Sequence, residues 1–222
     1  MKEFFNLPFD IEENRLIERI GGTCSGKPSP RTMGEMIRAI ETIHEFAEPK
    51  AAFKILNVWT DDRFIHLNTE IMLKSKKLAR VLSNCEKAAI FVSTLGLEID
   101  QIIEENLEQC LHYSTILDAA ASVAAESTVQ SLQNSIEDLL SQDESATMRY
   151  SPGYCDWPLD EQEKLFQIFP KDPAGVSLSE DFLMSPKKSV SGIMGIGPSE
   201  IVEKCGNLCL GCMKAECPHR RQ

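Results

Sequence analysis

The sequence predicts a mixed fold of helices and strands, and three observations carry that reading. The continuous apolar run Ala88-Ala89-Ile90-Phe91-Val92-Ser93, bounded by Lys87 and Gly96, fits a central strand buried on both faces. Pro30–Phe46 sets Met33, Met36, Ile37, Ile40 and Ile43 at helical spacing, making one apolar stripe. Between and beyond these, short segments rich in β-branched and aromatic residues alternate with helical ones. They do so without the strict strand–helix–strand repetition of a parallel sheet.

In chain order, the first strands expected are Ala52–Val58 and Arg63–Leu67, with Asp61-Asp62 between them as a turn signal. A helix is expected from Thr69 to about Asn84 on the spacing of Ile71, Leu78, Val81 and Leu82. After the central strand come helices at about Glu98–Glu108 and Tyr113–Leu140, the second rich in alanine and so open to close approach by another element. A helix near Asp160–Phe169, short strands, Ser189-Val190-Ser191-Gly192 and a cysteine-rich end complete the chain.

The 222 residues, 42% hydrophobic and 26% charged, describe one globular domain, or one plus a small appendage. No apolar run approaches the roughly 20 residues of a bilayer-spanning helix, so no membrane partner is expected. The N-terminus lacks a basic region followed by an uninterrupted apolar stretch, which points to a cytoplasmic protein. A formal charge of −11 argues against a nucleic-acid partner, whose phosphates call for basic patches.

Of eight cysteines, Cys24, Cys85, Cys110 and Cys155 are scattered and read as small buried hydrophobes, with Cys155 alone inside a candidate site. Cys205, Cys209, Cys212 and Cys217 crowd into thirteen positions and specify a tetrathiolate site. Four thiolates satisfy either Zn²⁺ or a [4Fe–4S] cluster, and both stay open. Gly206 and Gly211 permit the tight backbone of such a loop. Cys205-x₃-Cys209-x₂-Cys212 also has the spacing of radical S-adenosylmethionine enzymes. Those place the loop early and follow it with a barrel, whereas ten residues follow Cys212 here. Gly21–Lys27 has the glycine and lysine spacing of a phosphate-binding loop. Its next residue is Pro28 rather than a hydroxyl, so it reads as a connector.

The segment Arg149–Pro158, Arg-Tyr-Ser-Pro-Gly-Tyr-Cys-Asp-Trp-Pro, concentrates chemistry. Proline holds Ser151-Pro152 and Trp157-Pro158 extended, and Gly153 allows a turn or close approach. Arg149 offers a two-pronged hydrogen bond to a carboxylate, and Tyr154 and Trp157 offer flat faces. Two readings stand on composition: a cradle for a small zwitterion, or a proline-bounded loop with buried aromatics.

Arg149-x₃-Gly153-Tyr154 followed by Pro158 resembles the S-adenosylmethionine-binding signature of the reactivation domain of cobalamin-dependent methionine synthase. Three more stretches agree in order and spacing. They are Ala88–Gly96, Ala119–Gln130 with its inward Glu126, and Gly175–Phe182 followed by Ser189–Gly192. The resemblance covers about residues 88–197, which divides the chain into an N-terminal α/β part (1–87), an activation-like core (88–197) and a four-cysteine tail (198–222). It implies an α+β fold around a twisted, mainly antiparallel sheet flanked by helices. The family's aromatic-rich strand after the Ser-Val-Ser-Gly motif is replaced here by Ile193–Pro198.

The resemblance also implies a function. The chain would bind S-adenosylmethionine and support reductive methylation of cob(II)alamin on a partner. That partner would be a corrinoid-binding protein or cobalamin-dependent methionine synthase, with an electron donor protein as a possible third component. Arg149 would pair with the methionine carboxylate and Glu126 with the α-ammonium, while Tyr150, Ser151, Gly153 and Tyr154 line the rest. There is no Asp-x-His-x-x-Gly motif to supply a lower cobalt ligand, so the partner would supply the cobalamin. A non-catalytic corrinoid-protein binding module with structural zinc is the alternative.

Overall fold

The computed structural model describes residues 1–21, 28–67 and 70–205, the last three as backbone only. Its centre is a seven-stranded sheet, six strands in the order β4-β3-β2-β5-β9-β6 and β1 added alongside β2, every neighbouring pair antiparallel. The strands are β1 (Lys2–Phe5), β2 (Lys50–Thr60), β3 (Phe64–Leu67), β4 (Met72–Lys74), β5 (Lys87–Thr94), β6 (Glu144–Ala146) and β9 (Ser189–Pro198). The eleven-residue β2 is long enough to take β1 along Lys50–Phe53 and β3 along Val58–Thr60. β7 (Ser177–Leu178) and β8 (Met184–Ser185) form a separate ribbon.

β5 explains the unbroken apolar run. Ala88, Ile90 and Val92 enter one core, with Ala52, Leu56, Ile193 and the helix α3 (Lys76–Leu82). Ala89 and Phe91 enter another, with Ala51, Phe53, Met194 and Val129, Leu132 and Ile136 of the helix α5 (Leu111–Glu137). A strand covered on both faces has no solvent side and no need of polar alternation. Behind α5 lie α1 (Glu13–Arg19), α2 (Pro30–Phe46) and α4 (Leu97–Gln109), which bury Leu16, Met36, Ile43 and Ile99 against its alanine-rich side. Helix α2 begins with Pro30 in its first turn and the Ser29 side chain accepting from Thr32 N–H.

One expected helix divides. Residues 72–74 form β4, paired with β3 through Ile65 and Leu73, and only Lys76–Leu82 is helical. Ser75 makes the break: extended at φ −162°, it caps α3 by accepting from Leu78 N–H at 3.0 Å. The helix expected near Asp160–Phe169 is the shorter α6 (Gln162–Gln167), entered by the 3₁₀ turn Leu159–Glu161. Strands β1 and β6 and helix α1 were not anticipated. Among the described residues, no helix is long and apolar enough to cross a membrane.

β9 carries the Ser-Val-Ser-Gly motif and continues through the aliphatic stretch that follows it. Gly192 faces Phe91 across the sheet. A Cβ there would lie 2.4 Å from the Tyr150 carbonyl oxygen and 2.9 Å from the Phe91 ring. Glycine lets residue 150 close on the sheet, and that closure positions the candidate site.

Candidate functional site

After β6 the chain runs back beside β9. Tyr150 joins it by a two-bond antiparallel bridge, donating to the Ile193 carbonyl at 3.0 Å and accepting from Ile193 N–H at 2.8 Å. The bridge fixes the backbone one residue from Arg149, whose side chain crosses to α5. There Nη1 donates to Gln130 Oε1 at 2.7 Å and Gln133 Oε1 at 2.8 Å. Nη2 lies 3.8 Å from Glu126 Oε2. The guanidinium side chain is 12% exposed and the Glu126 side chain 40% exposed. A cation held against the protein thus faces an anion that solvent reaches.

Both elements are firmly seated. Ala124, Ala125, Val129 and Leu132 bury the inner side of α5 around the Glu126 turn. The loop after Tyr150 is tied by three backbone bonds: Tyr154 N–H to the Ser151 carbonyl at 3.4 Å, Gly153 N–H to the Trp157 carbonyl at 2.8 Å, and Trp157 N–H to the Tyr154 carbonyl at 3.0 Å. Gly153 sits at φ +87°, a conformation that glycine adopts without strain. Tyr154 is about half exposed beside this turn. Glu126 and Arg149 are therefore brought together, with Tyr150, Ser151, Gly153 and Tyr154 in one tight loop next to them.

The remainder of the segment has a different job. Trp157 is not a platform for a ligand: it is 3% exposed and packs in the core with Leu165, Ile168 and Val176. Asp156 accepts from Ser75 Oγ at 2.7 Å and from Lys77 N–H at 3.1 Å, serving the first turn of α3. Burial pushes the Asp156 carboxyl up, but these bonds outweigh it and hold it below the usual carboxylate range. Cys155 is exposed rather than buried, at φ +57°. Cys85 is the buried thiol, which burial pushes up to about 11; it stays protonated near neutral pH and is a poor nucleophile or ligand.

Gln130 and Gln133 were missed by sequence reasoning. Their spacing from Glu126, four and then three residues, puts all three on one helix face. That was the available signal, but neutral amides on a helix draw no notice until an arginine is set against them. The four tail cysteines cannot be placed: Cys205 ends the backbone of α7 (Ser199–Cys205), and its side chain, with Cys209, Cys212 and Cys217, lies outside the described residues. Most of Gly21–Lys27, with Cys24, lies outside them too. Among the described residues, no three His, Cys, Asp or Glu side chains form a metal-binding group.

An antiparallel sheet backed by a long helix, with an acid–base pair where that helix meets the returning loop, defines an α+β domain able to meet a small molecule bearing both charges. The family model "Vitamin B12 dependent methionine synthase, activation domain" matches residues 79–207, more than half of the chain, and the chain belongs to that family. The fold is similar to that in the crystal structure of the MetH reactivation domain bound to AdoHcy. The TM-score is 0.62 and the identity 17%, over 85% of this chain and 70% of that one. At that identity the likeness concerns the fold. No curated protein matches the chain. The family match takes in Cys205 and ends before Cys209, Cys212 and Cys217.

Proposed function

We propose that this chain is an S-adenosylmethionine-binding activator that supports reductive methylation of cob(II)alamin held on a partner, either a corrinoid-binding protein or cobalamin-dependent methionine synthase. One observation carries the reading: in a chain of the activation-domain family, Glu126 on α5 faces Arg149 on the returning loop at 3.8 Å. The methionine end of S-adenosylmethionine is a zwitterion, and its carboxylate and α-ammonium complement these two groups. The bound AdoHcy of the similar fold keeps that zwitterion and is what remains of S-adenosylmethionine once its methyl has left.

The ligand supplies an activated methyl group: one electron reduces cob(II)alamin to cob(I)alamin, which takes the methyl from the sulfonium and leaves neutral S-adenosylhomocysteine and methylcob(III)alamin. The protein's part is positioning. Arg149 holds the carboxylate through charge-assisted hydrogen bonds, and Glu126 accepts from the ammonium. The backbone of Tyr150 and Ser151, turned by Gly153, lines the adenosine side with the Tyr154 ring. No group is required to move a proton, because a thioether leaves without one.

The test is transfer itself. With titanium citrate as reductant and a corrinoid module of methionine synthase as acceptor, the chain and S-adenosylmethionine should give methylcobalamin and S-adenosylhomocysteine in equal amounts, and Arg149→Ala should abolish the acceleration. A chain that binds the module but never speeds methylation would instead be a binding module.

The spacing of Cys205, Cys209, Cys212 and Cys217 further supports a cluster that brings in the electron from a donor protein. The four thiolates fit [4Fe–4S] by number and by the uneven intervals between them. Metal analysis after anaerobic reconstitution should find about four irons per chain; stoichiometric zinc without iron would leave the tail a structural role only.

A further inference from the structure

We infer that the groove between α6 and the tip of the β7–β8 ribbon is a docking site for a partner polypeptide that presents an apolar side chain beside lysine or arginine. The inference goes beyond the S-adenosylmethionine reading and does not depend on it.

The groove has a volume of about 600 Å³. Its apolar wall is Phe166 and Phe169, at the end of α6 and just past it, together with Leu178 and Phe182 of the ribbon. Phe169 is buried and the other three are half-buried, while Leu183, at the ribbon tip, is 61% exposed. Apolar surface of this size, left open to water, marks an interaction site. An open groove does not enclose a small molecule, so its occupant is a side chain carried on a larger surface.

The rim says which kind of side chain. Glu163, Asp172 and Glu180 stand there with one cation, Lys171. All four are exposed, and none of them enters a salt bridge among the described residues. Three carboxylates and one ammonium leave two negative charges around the apolar wall. That pattern complements an apolar group flanked by cations and repels one flanked by acids.

The wall is also built in advance. Phe182 sits at φ +61°, a region that bulky side chains rarely occupy. Its N–H donates to the Ser179 carbonyl at 3.0 Å, and Leu183 N–H donates to Ser179 Oγ at 3.1 Å. The Phe182 carbonyl accepts from Gln162 Nε2 at 2.9 Å, and Gln162 Oε1 accepts in turn from Ser191 Oγ of β9 at 3.0 Å. Gln162 and Ser191 are both buried. A strut through the core therefore holds a half-buried phenylalanine in a strained backbone, and the partner meets a surface that needs no ordering.

Fluorescence anisotropy tests this with the full chain and a labelled peptide of phenylalanine, leucine and lysine. Its counterpart carries glutamate in place of every lysine. The lysine peptide should bind, more weakly as salt rises, and the glutamate peptide should not. Glu180→Lys should weaken binding about fivefold. Phe182→Gly should weaken it at least about tenfold, with a melting temperature that holds level or rises, because glycine adopts a positive φ without strain. Equal binding of the two peptides, binding of neither, or unchanged affinity in Phe182→Gly would overturn the proposal. So would a concentration-dependent dimer in sedimentation that Phe182→Gly abolishes, since a second copy would then be the occupant. If Phe182→Gly fails to fold, Glu180→Lys carries the test alone, and unchanged affinity there overturns the proposal.

Discussion

Arg149 and Asp156 belong to one loop and carry opposite charges in opposite directions. Arg149 reaches α5 and meets Gln130, Gln133 and Glu126. Asp156 reaches α3 and satisfies Ser75 Oγ and Lys77 N–H. Beside Asp156, Trp157 fills the core beneath the sheet face away from α5, with Leu165, Ile168 and Val176. One half of the segment is thus turned toward α5, where the proposed ligand would bind, and the other half toward the scaffold. Gly153, at φ +87° with its N–H on the Trp157 carbonyl, is the turn between them. The difference teaches how a short loop gains the rigidity that binding demands: its far end is anchored in the core, so its near end can present a charge without collapsing on it.

Separating the halves by mutation should separate stability from binding. Trp157→Ala is expected to have the largest effect on folding, about 3–5 kcal/mol lost with the cavity that remains. Urea unfolding measures it, and a loss under about 1 kcal/mol would mean that the tryptophan does not anchor the loop. Asp156→Ala is expected to cost about 1 kcal/mol, the usual value of a lost helix cap, with S-adenosylmethionine affinity little altered. Its pH dependence has a definite sign. The folded pKa lies below the ordinary carboxylate value, so the stabilisation is complete above the unfolded pKa of about 3.9 and is lost as pH falls through the folded one. Melting curves of the wild type and variant should differ most near neutral pH and converge at strongly acid pH; a gap that widens on acidification would contradict the assignment.

What could be read from the sequence follows how local each cause is. The central strand and α2 were legible because periodicity acts within a few residues: β5 in its unbroken apolar run, α2 in the stripe of Met33, Met36, Ile37, Ile40 and Ile43. Strand β4 was not, because Ile71 and Leu78 fit a helical stripe while what decides the matter lies elsewhere: β3 pairs with Leu73, and Asp156 braces Ser75. Strands β1 and β6, of four and three residues, owe their existence to the partners they add to. At the site, Glu126 and Arg149 stood out through motif order along the chain. Whether Trp157 faces a ligand or the core stayed open on composition, because an aromatic residue beside a proline says nothing of which way the loop faces; the fold puts it in the core. The glutamines that hold Arg149 carry no charge or motif of their own, and only the folded arrangement reveals them.

The central claim is that Arg149 is the carboxylate anchor of an S-adenosylmethionine site. A calorimetric titration of the full chain and of Arg149→Ala with S-adenosylmethionine tests it most directly. One-site binding to the full chain is expected, with a loss of roughly a hundredfold in the variant, which should remain folded by circular dichroism. Equal affinity in the two proteins, or no binding by either, would contradict it.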